Sequence, residues 1–271
     1  MRSIEYLKSQ GVDVDKSLEI FGDIETYNSS IGEFIVGVSE KVNKMNAYRI
    51  SKDMKNYSIY AHSLKSDAKY FGFNKLSELA LEMETKSKEM DLYYVNNNFN
   101  NLVAETNKSI GIVREYMNGN DEDTALEAEE KQTKPNQNAV VYDKKTILVV
   151  DDSSIIRNFV KRIFSDKYEV GTAMDGQEAI DILEANKDND FIETILLDLN
   201  MPRVDGFAVL DYMQQNNLLS KFPVSIISGD SSKETIDKAF NYQIVDMLSK
   251  PFNEQSVKSV IEKTLVYKGM V

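Results

Sequence analysis

The sequence predicts two folded domains, an all-α four-helix bundle followed by an α/β doubly wound sheet of five parallel strands. Apolar residues keep helical spacing over residues 24–118, whereas strand-like and helical segments alternate from Thr146 onward. Between these regions the composition changes to that of a linker. A chain of 271 residues is long enough for two domains of ordinary size. We therefore divide it into residues 1–118, 119–143 and 144–271.

The composition excludes several classes of protein. Lys and Arg number 32 against 44 Asp and Glu, a formal net charge of −12, and there is no basic block to neutralise nucleic-acid phosphates or an anionic membrane. Because the chain has no cysteine, a disulfide framework and a thiolate metal site are excluded. The N-terminus does not have the form of a signal peptide, and no apolar run approaches the ~20 residues of a membrane span. We therefore expect a cytoplasmic protein that binds neither nucleic acid nor membrane.

Apolar residues in the first domain recur every three or four positions, as in amphipathic helices. The first series comprises Ile24, Tyr27, Ile31, Phe34, Val38, Val42 and Met45. Residues typical of helix ends separate the series, such as Asp23 before the first helix and Gly72 after the second. The second helix is predicted from Tyr48 to Phe71. An antiparallel four-helix bundle is the simplest way to bury four such faces joined by short connections.

The predicted second helix carries the only histidine of the chain, His62. The core-facing residues of this helix are Met54, Tyr57, Ala61, Leu64, Ala68 and Phe71. His62 lies off that face, on a polar and locally basic stripe that includes Lys55 and Lys65. The pattern predicts a solvent-facing imidazole, which is largely neutral and nucleophilic at pH 7. The spacing alone also fits a surface histidine without a role, which is the commoner case.

Residues 119–143 have the composition of a connector. The segment is acidic, contains Pro135 with several Asn and Gln, and is poor in large apolar residues. If it is flexible, about 25 residues span about 25 to 30 Å on average, which permits the two domains to meet. Residues 121–131 could instead extend the last helix and hold the domains apart. The sequence leaves this choice open.

The second domain begins with a buried strand that ends in acidic residues. Residues 146–154 read TILVVDDSS, and such an apolar run is typical of a parallel strand covered on both faces. Four further strand-like segments alternate with helical ones, at residues 168–173, 193–197, 223–227 and 244–249. This alternation predicts a doubly wound parallel sheet. In a flavodoxin-like strand order the first and third strands are neighbours, so that Asp198 faces Asp151 and Asp152.

Three carboxylates at one sheet edge predict a metal site. Crowded carboxylates repel one another, and a hard divalent cation such as Mg²⁺ relieves this repulsion by binding their oxygens. Lys250 and Ser228, at the ends of the fifth and fourth strands, add a positive charge and a hydroxyl. Together these groups suit the equatorial oxygens of a transferred phosphoryl group. The alternative, polar residues that only solvate the sheet edge, is disfavoured because five of them converge.

The first domain resembles the histidine-containing phosphotransfer (HPt) domain over about residues 11–118. The motifs that carry the resemblance are Ala61-His62-Ser63-Leu64-Lys65-Ser66, Gly72, Leu76-Ser77-Glu78-Leu79-Ala80 and Glu82-Met83-Glu84. The resemblance implies that His62 carries a phosphoryl group between receiver domains and that Lys65 lies beside this group. Ser66 departs from the family pattern, in which a glycine usually leaves room for the docking receiver.

The second domain resembles the receiver domain of response regulators over essentially all of residues 144–267. The motifs are Asp151-Asp152, Asp198-Leu199-Asn200-Met201-Pro202, Asp205-Gly206, Ser228-Gly229 and Lys250-Pro251-Phe252. The resemblance implies that Asp198 is the phosphoacceptor, that Lys250 pairs with it, and that Ser228 follows the phosphoryl group. It also implies a Mg²⁺ site formed by Asp151, Asp152, Asp198 and the carbonyl of Asn200. Met247 departs from the family pattern, in which an aromatic residue often stands three positions before the lysine.

The two resemblances together predict a two-component phosphorelay protein that receives and transfers phosphoryl groups through His62 and Asp198. The implied phosphoryl source is a sensor histidine kinase or a kinase-attached receiver. The implied output is a protein that binds the surface of the receiver's fourth helix, fifth strand and fifth helix, about residues 233–266. We expect a phosphotransfer protein with a self-phosphorylating and autodephosphorylating receiver, rather than a conventional enzyme or kinase.

Two other functions stay open at this stage. One is a scaffold whose receiver is not phosphorylated. The other is a Mg²⁺-dependent aspartyl phosphohydrolase, which normally shows acidic residues at alternate positions, whereas Asp151 and Asp152 are adjacent. A nucleotide-binding role is excluded because no glycine-rich loop follows the first strand.

Overall fold

The computed structural model of the chain describes residues 1–119, 140–230 and 232–269. The first domain contains the helices α1 (Ile4–Ser9), α2 (Val14–Phe21), α3 (Ile24–Ser51), α4 (Met54–Tyr70), α5 (Asn74–Lys88) and α6 (Leu92–Asn118). The second contains β1 (Thr146–Val150), α7 (Ser154–Phe164), β2 (Glu169–Ala173), α8 (Gly176–Asn186), β3 (Ile192–Asp198), α9 (Gly206–Gln215), β4 (Val224–Ser228), α10 (Lys233–Phe240), β5 (Ile244–Ser249) and α11 (Glu254–Lys268). No helix in these ranges is both long and apolar enough to cross a membrane.

The helices α3 to α6 form the predicted four-helix bundle. They contact one another in a closed ring, α3 with α4, α4 with α5, α5 with α6 and α6 with α3. Three of them begin at an aspartate that satisfies a free backbone N–H. In α3, Asp23 accepts a hydrogen bond from Thr26 at 2.7 Å, and in α6, Asp91 accepts one from Tyr94 at 2.9 Å. The short helices α1 and α2 pack on the outside of the ring, against α6 and against α3 and α4 respectively.

The second helix of the bundle is shorter than predicted. We expected one helix over Tyr48–Phe71, but α3 ends and α4 begins within this range. Lys52 adopts a left-handed backbone conformation with φ of 60° and ends α3. The Asp53 side chain then accepts a hydrogen bond from a backbone N–H of α4 at 3.1 Å and caps that helix. Lysine and aspartate also occur inside helices, so these two residues alone did not mark the break.

The strands form one parallel sheet in the order β2-β1-β3-β4-β5, which confirms the predicted flavodoxin-like architecture. Every residue of β1 and β4 is buried, because helices cover both faces of the sheet. In a parallel sheet the carboxyl ends of all strands lie along one edge. This edge carries Asp151 and Asp152 after β1 and Asp198 at the end of β3.

The helical domain packs against this carboxyl edge. The ring of Tyr70 at the end of α4 meets that of Phe252 edge-on, with 5.9 Å between their centroids. Phe21 of α2 meets Phe159 of α7 in the same way at 6.1 Å. Buried apolar residues of both domains therefore form one continuous cluster, and the loops after β1 and β5 face the bundle.

The predicted domain boundaries stay a prediction. Most of the expected connector, residues 120–139, lies outside the described residues, so that both of its predicted conformations remain open. Tyr142, which we placed in the connector, is buried in the core of the second domain. Its backbone N–H donates a hydrogen bond to Oδ1 of Asn186 at 2.8 Å.

Candidate functional site

Three carboxylates meet at the carboxyl edge of the sheet. Asp151, Asp152 and Asp198 each offer an oxygen, and these oxygens all lie within 4.8 Å of one another. Asp151 and Asp198 are buried and Asp152 is half-buried. A set of oxygen donors that carries several negative charges is the chemistry that a hard divalent cation requires. The residues therefore fit Mg²⁺.

Lys250 reaches two of these carboxylates from the end of β5. Its Nζ lies 2.6 Å from Oδ2 of Asp198 and 2.7 Å from Oδ2 of Asp151. Burial raises the pKa of the Asp198 carboxyl to about 7, although Lys250 acts in the opposite direction. Burial also disfavours the charged ammonium, but Asp151 and Asp198 raise the pKa of Lys250 well above its usual value. The ammonium therefore stays charged beside the predicted phosphoacceptor.

The other predicted site residues of the second domain lie on the same edge. The backbone N–H of Asn200 donates to Oδ1 of Asp198 at 3.1 Å. Ser228 is buried at the end of β4, where its Oγ accepts a hydrogen bond from the Asp230 backbone N–H at 3.0 Å. Gly229 follows Ser228 and faces the helical domain. The structure thus brings these residues together, and their chemical roles stay predictions.

The prediction that His62 faces solvent is wrong, because the residue lies between the two domains. His62 is 5% exposed, and its Nε2 has no hydrogen-bond partner among the described residues. A Cβ added to Gly229 would lie 2.7 Å from Nε2, so only a glycine fits there without movement. The helical spacing correctly placed His62 off the bundle core. The second domain covers the stripe that would face water in an isolated bundle.

Glu84 of α5 holds the other ring nitrogen of His62. Its Oε1 lies 2.8 Å from His62 Nδ1. Burial acts to raise the pKa of the Glu84 carboxyl, but hydrogen bonds and positive charge from His62 and Lys65 hold it well below its usual range. A carboxylate only accepts hydrogen bonds, so Nδ1 carries a proton, and Nε2 offers a free lone pair in the neutral form of the ring. The nitrogen that faces the second domain is therefore the nucleophilic one.

Lys65 and Ser66 lie beside His62 on α4. Lys65 Nζ donates to Oε2 of Glu84 at 2.7 Å and lies 3.1 Å from His62 Nδ1. The Ser66 hydroxyl donates to the His62 carbonyl at 3.2 Å, and its oxygen lies 3.6 Å from the position of a Cβ on Gly229. Serine thus leaves room for the second domain, because its hydroxyl is turned toward the backbone of its own helix.

The sequence alone assigns no role to three residues at this boundary. Glu84 stands out there only as part of a motif. Lys41 and Asp67 form a buried ion pair, and both are under 10% exposed. Lys41 stands between Val38 and Val42 in the core-facing series of α3, and a lone charge in such a series is a signal that it needs a buried partner. Asp67 carried no comparable signal.

Comparisons with known proteins match two regions of the chain. Residues 147–262 match the response regulator receiver domain, and residues 30–106 match the Hpt domain. Chemotaxis protein CheY1 of Helicobacter pylori is 31% identical over 121 residues, which cover 44% of this chain and 95% of CheY1. Two-component response regulator ORR3 of Oryza sativa is 27% identical, over 44% of this chain and 90% of ORR3. A solved structure of chemotaxis protein CheY4 of Vibrio cholerae is 28% identical, with a TM-score of 0.41 over 45% of this chain and 99% of that one.

Proposed function

We propose that His62 and Asp198 exchange a phosphoryl group with each other, since this chain is a two-component phosphorelay protein that belongs to the response regulator receiver family and carries an added Hpt domain. One observation carries this proposal. Nε2 of His62, which has no hydrogen-bond partner in the described part of the chain, faces Gly229 at the sheet edge where Asp198 pairs with Lys250. This arrangement supports transfer of a phosphoryl group across the domain boundary.

In the transfer step only His62 and Asp198 form or break a bond to phosphorus. As an Asp198 carboxylate oxygen bonds to phosphorus, the bond between phosphorus and His62 Nε2 breaks and its electron pair returns to the ring. The phosphorylated ring bears a positive charge, which the nearby Glu84 carboxylate stabilises. The ring leaves as neutral imidazole with its proton still on Nδ1. The reverse transfer follows the same path.

We assign the charge stabilisation to groups around Asp198. Lys250 provides a fixed ammonium, Ser228 a hydroxyl, and Lys65 and Gly229 line the boundary that the phosphoryl group crosses. Mg²⁺, when bound by Asp151, Asp152, Asp198 and the Asn200 carbonyl, supplies positive charge for the phosphoryl oxygens. The residues with these proposed roles belong to two proposed domains, residues 1–118 and residues 144–271.

The proposed function also implies a phosphoryl donor and an output protein outside this chain. Phosphoryl enters from a sensor histidine kinase or a kinase-attached receiver. The output surface is formed by α10, β5 and α11, over about residues 233–266, where Phe240 and Val266 are more than half exposed. These two apolar side chains are accessible to a protein partner at that surface.

The first test is phosphorylation by acetyl phosphate and Mg²⁺. Wild-type protein should form an acyl phosphate that is labile to both acid and base, and Asp198→Asn should not. Asp211→Asn, which changes an exposed aspartate, is the matched control and should label like the wild type. An unlabelled wild type would favour the scaffold, and release of free phosphate as the sole product would favour the phosphohydrolase.

The second test separates the histidine from the aspartate. A phosphorylated partner receiver should transfer label to His62 in the Asp198→Asn chain, giving an acid-labile and base-stable product. The His62→Gln variant should not form this product. If it does, the proposed role of His62 is wrong.

A further inference from the structure

A buried hydrogen bond joins the two domains away from His62. The hydroxyl of Ser153, between β1 and α7, donates to Oδ1 of Asp67 on α4 at 2.8 Å. Ser153 is 2% exposed and Asp67 is 1% exposed. Both partners are thus removed from water by the contact, and a buried acceptor that loses its donor is costly.

Ser153 uses its hydroxyl for the other domain and not for its own. It occupies the N-cap position of α7, where a serine side chain normally accepts a hydrogen bond from a backbone N–H of the helix. No such bond is made by its side chain. The residue gives up a local interaction for a contact with Asp67, 86 positions away in the chain.

Lys41 makes this contact possible. Ser153 directly follows the acidic pair Asp151 and Asp152, so an additional carboxylate from the bundle would be repelled from this edge. Lys41 of α3 forms an ion pair with Oδ2 of Asp67. Burial disfavours the Lys41 ammonium, but Asp67 and then Asp152 raise its pKa. One ammonium thus compensates the Asp67 carboxylate at the acidic edge.

We propose that Asp67, held by Lys41, is the residue by which the helical domain selects its own receiver, through Ser153, as the docking partner of the His62 face. The proposal rests on the proposed function in naming this partner as the one with which His62 exchanges phosphoryl. A receiver with an apolar residue in place of Ser153 would leave Asp67 Oδ1 without a donor. One with an acidic residue there would set two carboxylates against each other.

The Phe252 amide provides a native reporter of this docking. Its N–H donates to the Tyr70 hydroxyl across the domain boundary at 3.2 Å. When the domains separate, this amide loses its partner and exchanges with solvent, so its protection measures the docking equilibrium. Hydrogen exchange followed by NMR on the full chain needs no phosphoryl group. Its result is therefore independent of whether His62 or Asp198 accepts label.

The test compares variants of two adjacent serines. Ser153→Ala should lower the protection of the Phe252 amide roughly 5- to 150-fold, the range for a buried acceptor without its donor. Ser154→Ala, whose serine makes no side-chain hydrogen bond in the described part of the chain, should leave it unchanged. Asp67→Ala, which removes the acceptor, should lower the protection as Ser153→Ala does. The Val149 amide in the centre of the sheet should keep its protection throughout, which shows that the second domain stays folded.

Two results would overturn the proposal. Equal protection of the Phe252 amide in wild type and Ser153→Ala would show that the Asp67 contact does not select the receiver. Protection that rises with protein concentration in the wild type would show that a second copy, and not the receiver of the same chain, covers the His62 face.

Discussion

Nδ1 of His62 and Oε1 of Glu84 are joined at 2.8 Å across the α4–α5 interface, although 22 positions separate the two residues in the chain. The same carboxylate is held at 2.7 Å by Lys65 and by Lys88. Because three groups fix its position, Glu84 orients the imidazole ring and keeps the proton on Nδ1. Nε2 is left free toward the second domain.

Glu84→Gln should slow phosphoryl transfer to His62. The amide keeps the size of the side chain but removes the charge that stabilises the phosphorylated ring, so we expect a loss of about tenfold or more. The measurement is the initial rate of transfer from a phosphorylated partner receiver. Glu82→Gln, an exposed position two residues earlier, is the matched control. Equal rates in the wild type and Glu84→Gln would contradict the positioning role.

Glu84 should also make stability depend on pH in acid. The pKa of Glu84 is lower in the folded chain than in the unfolded chain, where it is about 4.5. Its contribution to the free energy of unfolding is therefore complete above pH 4.5 and is lost as the pH falls through the pKa of the folded chain. Wild type should exceed Glu84→Gln by about 2 kcal/mol in free energy of unfolding at pH 7, the magnitude for hydrogen bonds to a charged group. Urea titrations should show this gap narrowing below pH 4.5. A gap that widens there would mean that the sign is wrong.

Much of the architecture was readable from local patterns. The spacing of Tyr27, Ile31 and Phe34 predicted one face of a helix, and all three are fully buried. The apolar run of β1, followed by Asp151 and Asp152, correctly predicted a covered parallel strand at the edge where Asp198 also lies. Such patterns are reliable because burial within a domain imposes a period on its own sequence.

The boundary between the domains was not readable in this way. His62 obeys the helical period and still is buried, because the group that covers it, Gly229, belongs to another domain. Asp67 and Ser153 lie 86 positions apart, and the sequence around either residue does not predict a contact with the other. Helical periodicity shows which face of a helix points away from the core of its own domain, but it does not show which residues of another domain cover that face.

Gly229→Ala should weaken exchange between His62 and Asp198. The added Cβ would lie 2.7 Å from His62 Nε2, so the ring or the domain must move. A cost of 1–3 kcal/mol for such overpacking corresponds to a rate roughly 5- to 150-fold lower. The measurement is single-turnover transfer within the full chain. Gly111→Ala, whose Cβ would meet nothing within 4 Å, is the control, and an equal effect of both substitutions would contradict the contact.

Mg²⁺ should stabilise the chain through the acidic cluster. Asp151, Asp152 and Asp198 offer oxygens within 4.8 Å of one another, and Lys250 pairs with only two of these residues. A ligand at 100 times its Kd stabilises a folded protein by about 2.7 kcal/mol, which is a rise of roughly 5 to 10 °C in Tm for a domain of this size. EDTA should abolish the rise.

Asp152→Asn tests whether the acidic cluster causes the Mg²⁺-dependent rise in Tm. Asp152 is the least buried carboxylate of the three, so its replacement should disturb packing little while it removes one oxygen charge from the donor set. The Mg²⁺-dependent rise in Tm should shrink to a few degrees or less in this variant. It should persist in Asp188→Asn, which changes an exposed aspartate of the same domain. A full rise in Asp152→Asn would place the cation elsewhere and remove Asp152 from the proposed site.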